Sequence, residues 1–140
     1  MIEDLYQQLI LDHNASPKNY KKLSNPSHQA NGYNPLCGDN ITIYLQIENN
    51  IIKDISFISE GCAISKASAS IMTEELKEKT IDIAQITFNK VHKFFTTNIG
   101  TIDNNKLLAF SGVKKFPMRV KCATLAWHIF KAALENKNDI

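Results

Sequence analysis

Two runs of alternating, largely β-branched residues, Asn40-Ile41-Thr42-Ile43-Tyr44-Leu45-Gln46-Ile47 and Ile51 to Ile58, are separated only by Glu48-Asn49-Asn50. Period-two alternation suits strands that bury one face, and Asn-Asn is turn material. The pair is therefore predicted to be a β-hairpin. A hairpin constrains everything attached to it, because it sets the start of its first strand beside the end of its second. Here the start carries Cys37-Gly38-Asp39 and the end carries Glu60-Gly61-Cys62. Cys37 and Cys62, remote in sequence, are expected to be neighbours.

The flanking segments read as helices. Ile2, Leu5, Tyr6, Leu9 and Ile10 fall on one helical face that ends near Ala15 or Ser16, before Pro17. Residues 17–36, rich in Asn, Pro, Ser and Lys, read as a long extended connection. Such a length without secondary structure is uncommon in a compact domain and often functional. A helix is predicted over Ser65 to Lys79 with Ser65 as its N-cap. A second opens at Thr80-Ile81-Asp82, with Ile83, Ile86, Val91, Phe94 and Phe95 facing the core. Lys106 to Phe110 forms a short helix, and Ser111-Gly112 breaks it. Pro117 suits the first turn of a final helix whose inward stripe is Met118, Cys122, Leu125, Ile129 and Ala133. The sum is an α+β fold: a small antiparallel sheet of about three strands packed against helices. Residues 1–140 are expected to form one domain with a polar tail from about 135 to 140.

Composition removes several function classes. Sixteen basic and fourteen acidic residues leave a net charge of +2, and the basic residues are scattered, so no nucleic-acid footprint is expected. Pairs such as Lys21-Lys22 and Lys114-Lys115 read as solvated surface. No apolar run approaches membrane-spanning length. Met1-Ile2-Glu3-Asp4 is acidic and leads straight into the helical pattern, so no secretory signal is expected. Three cysteines are an odd number for a disulfide framework, and a reducing, cytoplasmic setting fits them better.

The third cysteine, Cys122 in Arg119-Val120-Lys121-Cys122, lies near the start of the final helix. That helix needs only to cross the end of the hairpin to bring Cys122 to Cys37, Asp39 and Cys62. Three thiols and a carboxylate supply the four ligands of a tetrahedral zinc site. The same thiols could instead carry sulfur or hold an iron–sulfur cluster. Gly38 lets the chain turn so that Cys37 and Asp39 face one point. Cys62 and Cys122, near helix N-termini, are expected to favour the thiolate. Arg119, one turn before Cys122, is placed to pair with Asp39 or to lower a thiol pKa. His13 continues an apolar face and reads as packed rather than ligating. His28 lies in the connection, and His92 and His128 lack metal-pair spacing. Trp127 reads as core.

Three stretches carry a family resemblance: Asn34-Pro35-Leu36-Cys37-Gly38-Asp39, the run from Glu60-Gly61-Cys62 to Ser70, and the run from Phe116-Pro117-Met118-Arg119 to Trp127. With Leu5-Tyr6 to His13 and Ser16-Pro17-Lys18-Asn19, they resemble the signature blocks of the NifU N-terminal (IscU-like) family, in its order. The SufU type is the more similar, because Lys121 stands where IscU-type scaffolds carry histidine. The segment between Cys62 and Cys122 is also long, and Lys115-Phe116-Pro117-Met118-Arg119-Val120-Lys121 departs from the family's chaperone-docking motif.

The resemblance implies a SufE/NifU-like fold and one zinc held by Cys37, Asp39, Cys62 and Cys122. It implies sulfur received on Cys37 from the persulfide of a SufS-type, PLP-dependent cysteine desulfurase, whose histidine takes over a zinc position. It further implies a functional role for Arg119 and a downstream iron–sulfur scaffold as recipient. Two alternatives stand beside this sulfurtransferase reading. One is an IscU-type scaffold assembling a [2Fe-2S] cluster on the three cysteines. The other is a zinc module with a structural role only.

Overall fold

The computed structural model describes residues 2–35, 37–97 and 105–135. The elements, in chain order, are α1 (Ile2–Ala15), β1 (His28–Asn34), β2 (Asp39–Glu48), β3 (Ile51–Glu60), α2 (Ala63–Leu76), α3 (Ile81–Thr96), α4 (Asn105–Leu108), a 3-10 turn (Ser111–Lys115) and α5 (Pro117–Leu134). The side chains of Leu5 and Tyr6 and the expected tail at 136–140 lie outside the described residues.

The predicted hairpin is β2–β3. Asn49 and Asn50 both take positive φ (52° and 62°), which matches a tight turn that follows the right-handed twist of the strands. The strands pair antiparallel, with Ile43 opposite Phe57 and Asn40 opposite Glu60, and one register shift at Gln46/Ile47. The hairpin so delivers Asp39 and Cys62 to one end of the sheet.

The third strand comes from the segment read as an extended connection. His28–Asn34 pairs with β2 and completes a sheet of order β1-β2-β3. Its sequence, HQANGYN, has no β-branched residue, so propensity gave no signal. Instead, it buries the small and polar positions Ala30, Gly32 and Asn34, which let α5 pack closely over β1 and β2.

Ile41, Ile43, Leu45, Ile55 and Phe57 of the sheet join Ala67 and Ile71 of α2 and Ala126, Trp127 and Phe130 of α5 in one buried core. Small residues on α2 let it approach α5 closely. Ser68 Oγ donates to the Ala123 carbonyl at 2.6 Å and accepts from Trp127 Nε1 at 3.2 Å, so the polar atoms at this crossing are satisfied.

Three further local expectations need correction. Helix α2 begins at Ala63, and its N-cap is Cys62 rather than Ser65. It stops at Leu76, and Glu78 beyond it takes a positive φ of 67°. On α3 the buried residues are Ala84, Phe88, Val91, Phe94 and Phe95, while Ile83 and Ile86 are exposed. The three phenylalanines carry more apolar area, and the helix turns them inward at the isoleucines' expense. On α5, Met118 is exposed and Leu125 only partly buried. That helix is covered on two sides, so its buried set widens to include Ala123, Ala126, Trp127 and Phe130.

Candidate metal centre

Asp39 is the first residue of β2, opposite Asn34, and is fully buried. A buried carboxylate needs partners. Its Oδ1 accepts the backbone N–H of Cys62 at 2.7 Å, and Cys62 Sγ lies 3.8 Å from Oδ2. Between Glu60 and Cys62, Gly61 adopts φ +142°. A Cβ at position 61 would collide with Asp39 Oδ1 and stand 2.7 Å from Asp39 Cα. Glycine here is what allows the β3–α2 joint to close over the carboxylate.

Cys62 sits at the N-cap of α2, where its sulfur accepts the Ser65 N–H at 3.5 Å. Cys37, half-buried, lies in the β1–β2 turn next to Gly38, whose φ is +70°. Cys122, on the buried face of α5, places its Sγ 2.7 Å from Cys37 Sγ. Asn34 Nδ2 donates toward Cys122 Sγ at 3.9 Å.

Among the described residues, Cys37, Asp39 and Cys122 form a group whose potential ligand atoms lie within 4.8 Å of one another. Cys62 stands beside this group and joins it through Asp39. Cys37 is thus closer to Cys122 than to its expected neighbour Cys62, because α5 lies across the end of the sheet. The donor set suits a borderline metal: soft thiolates with one hard carboxylate, presented by a turn, a strand, a helix cap and a helix. By type the four residues suit a closed metal site, and three of them, Cys37, Asp39 and Cys122, converge.

The charge environment differs from expectation at Cys122. Burial, then hydrogen bonds to Cys37 and Asp39 and the nearby Cys62 charge, push its thiol pKa far up. Its place beyond the first turn of α5 removes most of the helix-dipole help. A bound cation is what would keep such a sulfur as thiolate.

Arg119 does not reach Asp39. Its exposed guanidinium lies over the Phe116 ring, 4.9 Å from the centroid, beside a groove of about 750 Å³ between α1, the start of α2 and the 3-10 turn. Leu11, Ile64 and Val113 are among the residues lining it. Lys121, next to Cys122, is exposed.

No histidine belongs to the thiol group among the described residues. His13 is buried, with Nδ1 2.7 Å from Ser70 Oγ and Nε2 3.6 Å from Glu74 Oε1, so it ties α1 to α2. Asn34 was not singled out from the sequence. Only the β1–β2 pairing, which the sequence did not signal, sets it opposite Asp39.

The fold and this thiol-rich group define a small α+β protein with a cluster of potential metal ligands at one end of its sheet. The chain belongs to the family whose model is described as NifU-like N terminal domain, which matches residues 5–138. It is 40% identical over 129 residues to the zinc-dependent sulfurtransferase SufU of Bacillus subtilis, covering 90% of this chain and 86% of that one. It is 37% identical over 134 residues to the iron–sulfur cluster assembly scaffold protein IscU of Thermotoga maritima, covering 94% and 93%. The crystal structure described as a putative iron–sulfur cluster assembly scaffold protein for the SUF system, from Fervidobacterium islandicum AW-1, superimposes with a TM-score of 0.83 at 32% identity. That match covers 91% of this chain and 94% of that one. No helix among the described residues is long and apolar enough to cross a membrane.

Proposed function

We propose that this chain is a zinc-dependent sulfur acceptor in cytoplasmic iron–sulfur cluster assembly, taking sulfur on Cys37 from a SufS-type, PLP-dependent cysteine desulfurase. The observation that carries this reading is the convergence of Cys37 and Cys122, 2.7 Å apart, on the buried Asp39, with Cys62 bonded to the same carboxylate. Its likeness to a protein named as a zinc-dependent sulfurtransferase supports it.

Cys37, Asp39, Cys62 and Cys122 would hold the zinc. When bound, zinc keeps the thiols deprotonated and shields them from oxidation. Cys37 is the acceptor because it alone of the three sits in a turn rather than at a helix, beside a glycine with open space around its Cα. Its thiolate attacks the outer sulfur of the partner's cysteine persulfide. A new S–S bond forms on Cys37 while the partner's S–S bond breaks. The electron pair of that bond stays on the partner's cysteine, which takes up a proton, so there is no net oxidation. Cys122, buried and with a strongly raised thiol pKa, is the poorest candidate for this role. Arg119 is exposed one helical turn before Cys122 and offers a cation to the incoming persulfide anion or to an acidic patch on the partner. A downstream iron–sulfur scaffold would receive the sulfur.

A second reading has its own support. Several relatives are named as IscU scaffold proteins, including the one from Thermotoga maritima, and thiol ligands suit a [2Fe-2S] cluster equally well. One assay separates the two. Adding the protein to a purified desulfurase should increase cysteine turnover, and Cys37→Ala should abolish the increase. Unchanged stimulation by Cys37→Ala overturns the acceptor role. Anaerobic reconstitution that yields a stable, transferable cluster supports the scaffold instead.

A further inference from the structure

We propose that His92 and His128 form a second metal-binding site, for a borderline divalent cation such as zinc and separate from the thiol centre. The two residues come from α3 and α5, and neither neighbour in sequence hints at a metal pair. The packing of those helices sets their rings 5.5 Å apart, centroid to centroid, at an interplanar angle of 81°.

That spacing suits two imidazoles on one ion. With metal–nitrogen bonds of about 2.0–2.1 Å, a ring centroid lies roughly 3.2 Å from the ion, and two rings at the tetrahedral angle stand about 5.2 Å apart. The observed centroid separation lies within a few tenths of an ångström of that value. Phe88, buried beneath both, fixes the pair. It stacks on His92 at 5.9 Å and meets His128 edge-on at 5.8 Å.

The ring nitrogens are available. Neither ring makes a hydrogen bond or ion pair among the described residues, although His128 is partly buried. With no polar protein group on either ring among the described residues, their nitrogens are open to a metal ion in place of water. Burial, with help from His92 and Lys131, lowers the His128 pKa, which keeps it neutral and ligating at neutral pH. Lys131, whose Nζ lies 5.1 Å from the Phe88 centroid, is the opposing group. Its charge weakens cation binding without blocking it. Two protein ligands leave the remaining positions open to water or to a carboxylate from another molecule.

Zinc chloride titrated at pH 7.5 into protein already carrying one equivalent of zinc tests this, with the four histidine ring resonances followed by NMR. His92 and His128 should shift together and saturably, whichever equivalent does it, while His13 and His28 stay in place. His92→Gln, an exposed change that keeps the fold, should weaken the event by at least about tenfold, since loss of even an outer-shell partner of a metal ligand costs about 10–100-fold. Lys131→Gln should tighten it severalfold. No joint shift up to millimolar zinc, or a shift undiminished in His92→Gln, overturns the proposal.

Discussion

Asp39 does two jobs at once. It is a ligand candidate, and it is the acceptor that docks the β3–α2 joint through the Cys62 N–H. The residue that permits this is Gly61, at φ +142° against the Asp39 backbone. Gly61→Ala should therefore cost about 1–3 kcal/mol from backbone strain alone. The collision with Asp39 adds to that and displaces the carboxylate. Denaturant unfolding should show the loss of stability, and metal analysis should show weakened zinc binding. Retention of both would remove the docking role assigned to Gly61. At the same scale, Ser68→Ala leaves the Trp127 N–H without its acceptor at a buried crossing. The expected loss is about 1–3 kcal/mol with zinc content unchanged.

The elements differ in how firmly they are tied. Helix α1 is held to α2 by His13, whose ring meets Ser70 and Glu74, and by Lys18 N–H donating to Ser70 Oγ at 2.8 Å. Burial lowers the His13 pKa below 6.5, against the opposing pull of Glu74. The unfolded chain then binds more protons than the folded one between that lowered value and 6.5. Stability from this residue is complete above pH 6.5 and declines as the pH falls through 6.5 toward the folded value. His128 contributes in the same direction. The denaturation midpoint should fall between pH 7.5 and 5.5, and His13→Gln should flatten that slope. An unchanged slope would show that His13 is not the titrating group. Element identity was legible where pattern and turn chemistry agreed, as in the hairpin and its Asn49-Asn50 turn. It was not legible in β1, whose small and polar residues are chosen by the α5 backbone above them. Nor was the inward face of α3, where Ile83 and Ile86 satisfy the helical period as well as Phe88 does.

At the scale of the whole molecule, the thiol centre draws on the β1–β2 turn, the β3–α2 joint and α5, so metal binding should clamp all three together. Zinc at a hundredfold excess over its dissociation constant would add about 2.7 kcal/mol. Chelation should then lower Tm by roughly ten degrees for a domain of this size. Equal melting with and without chelator would count against a closed four-ligand site. By itself, the sequence determined the α+β class and the hairpin, because alternation and turn residues are local signals. It also singled out the candidate ligands, because Cys37, Asp39, Cys62 and Cys122 stand at the ends of legible elements. Only the tertiary structure decided which thiols meet, that Arg119 turns to Phe116 and not to Asp39, and that His92 and His128 lie beside each other. Those facts depend on how α3 and α5 cross the sheet and each other, and helix crossing follows from packing summed over the entire core rather than from any local run of residues.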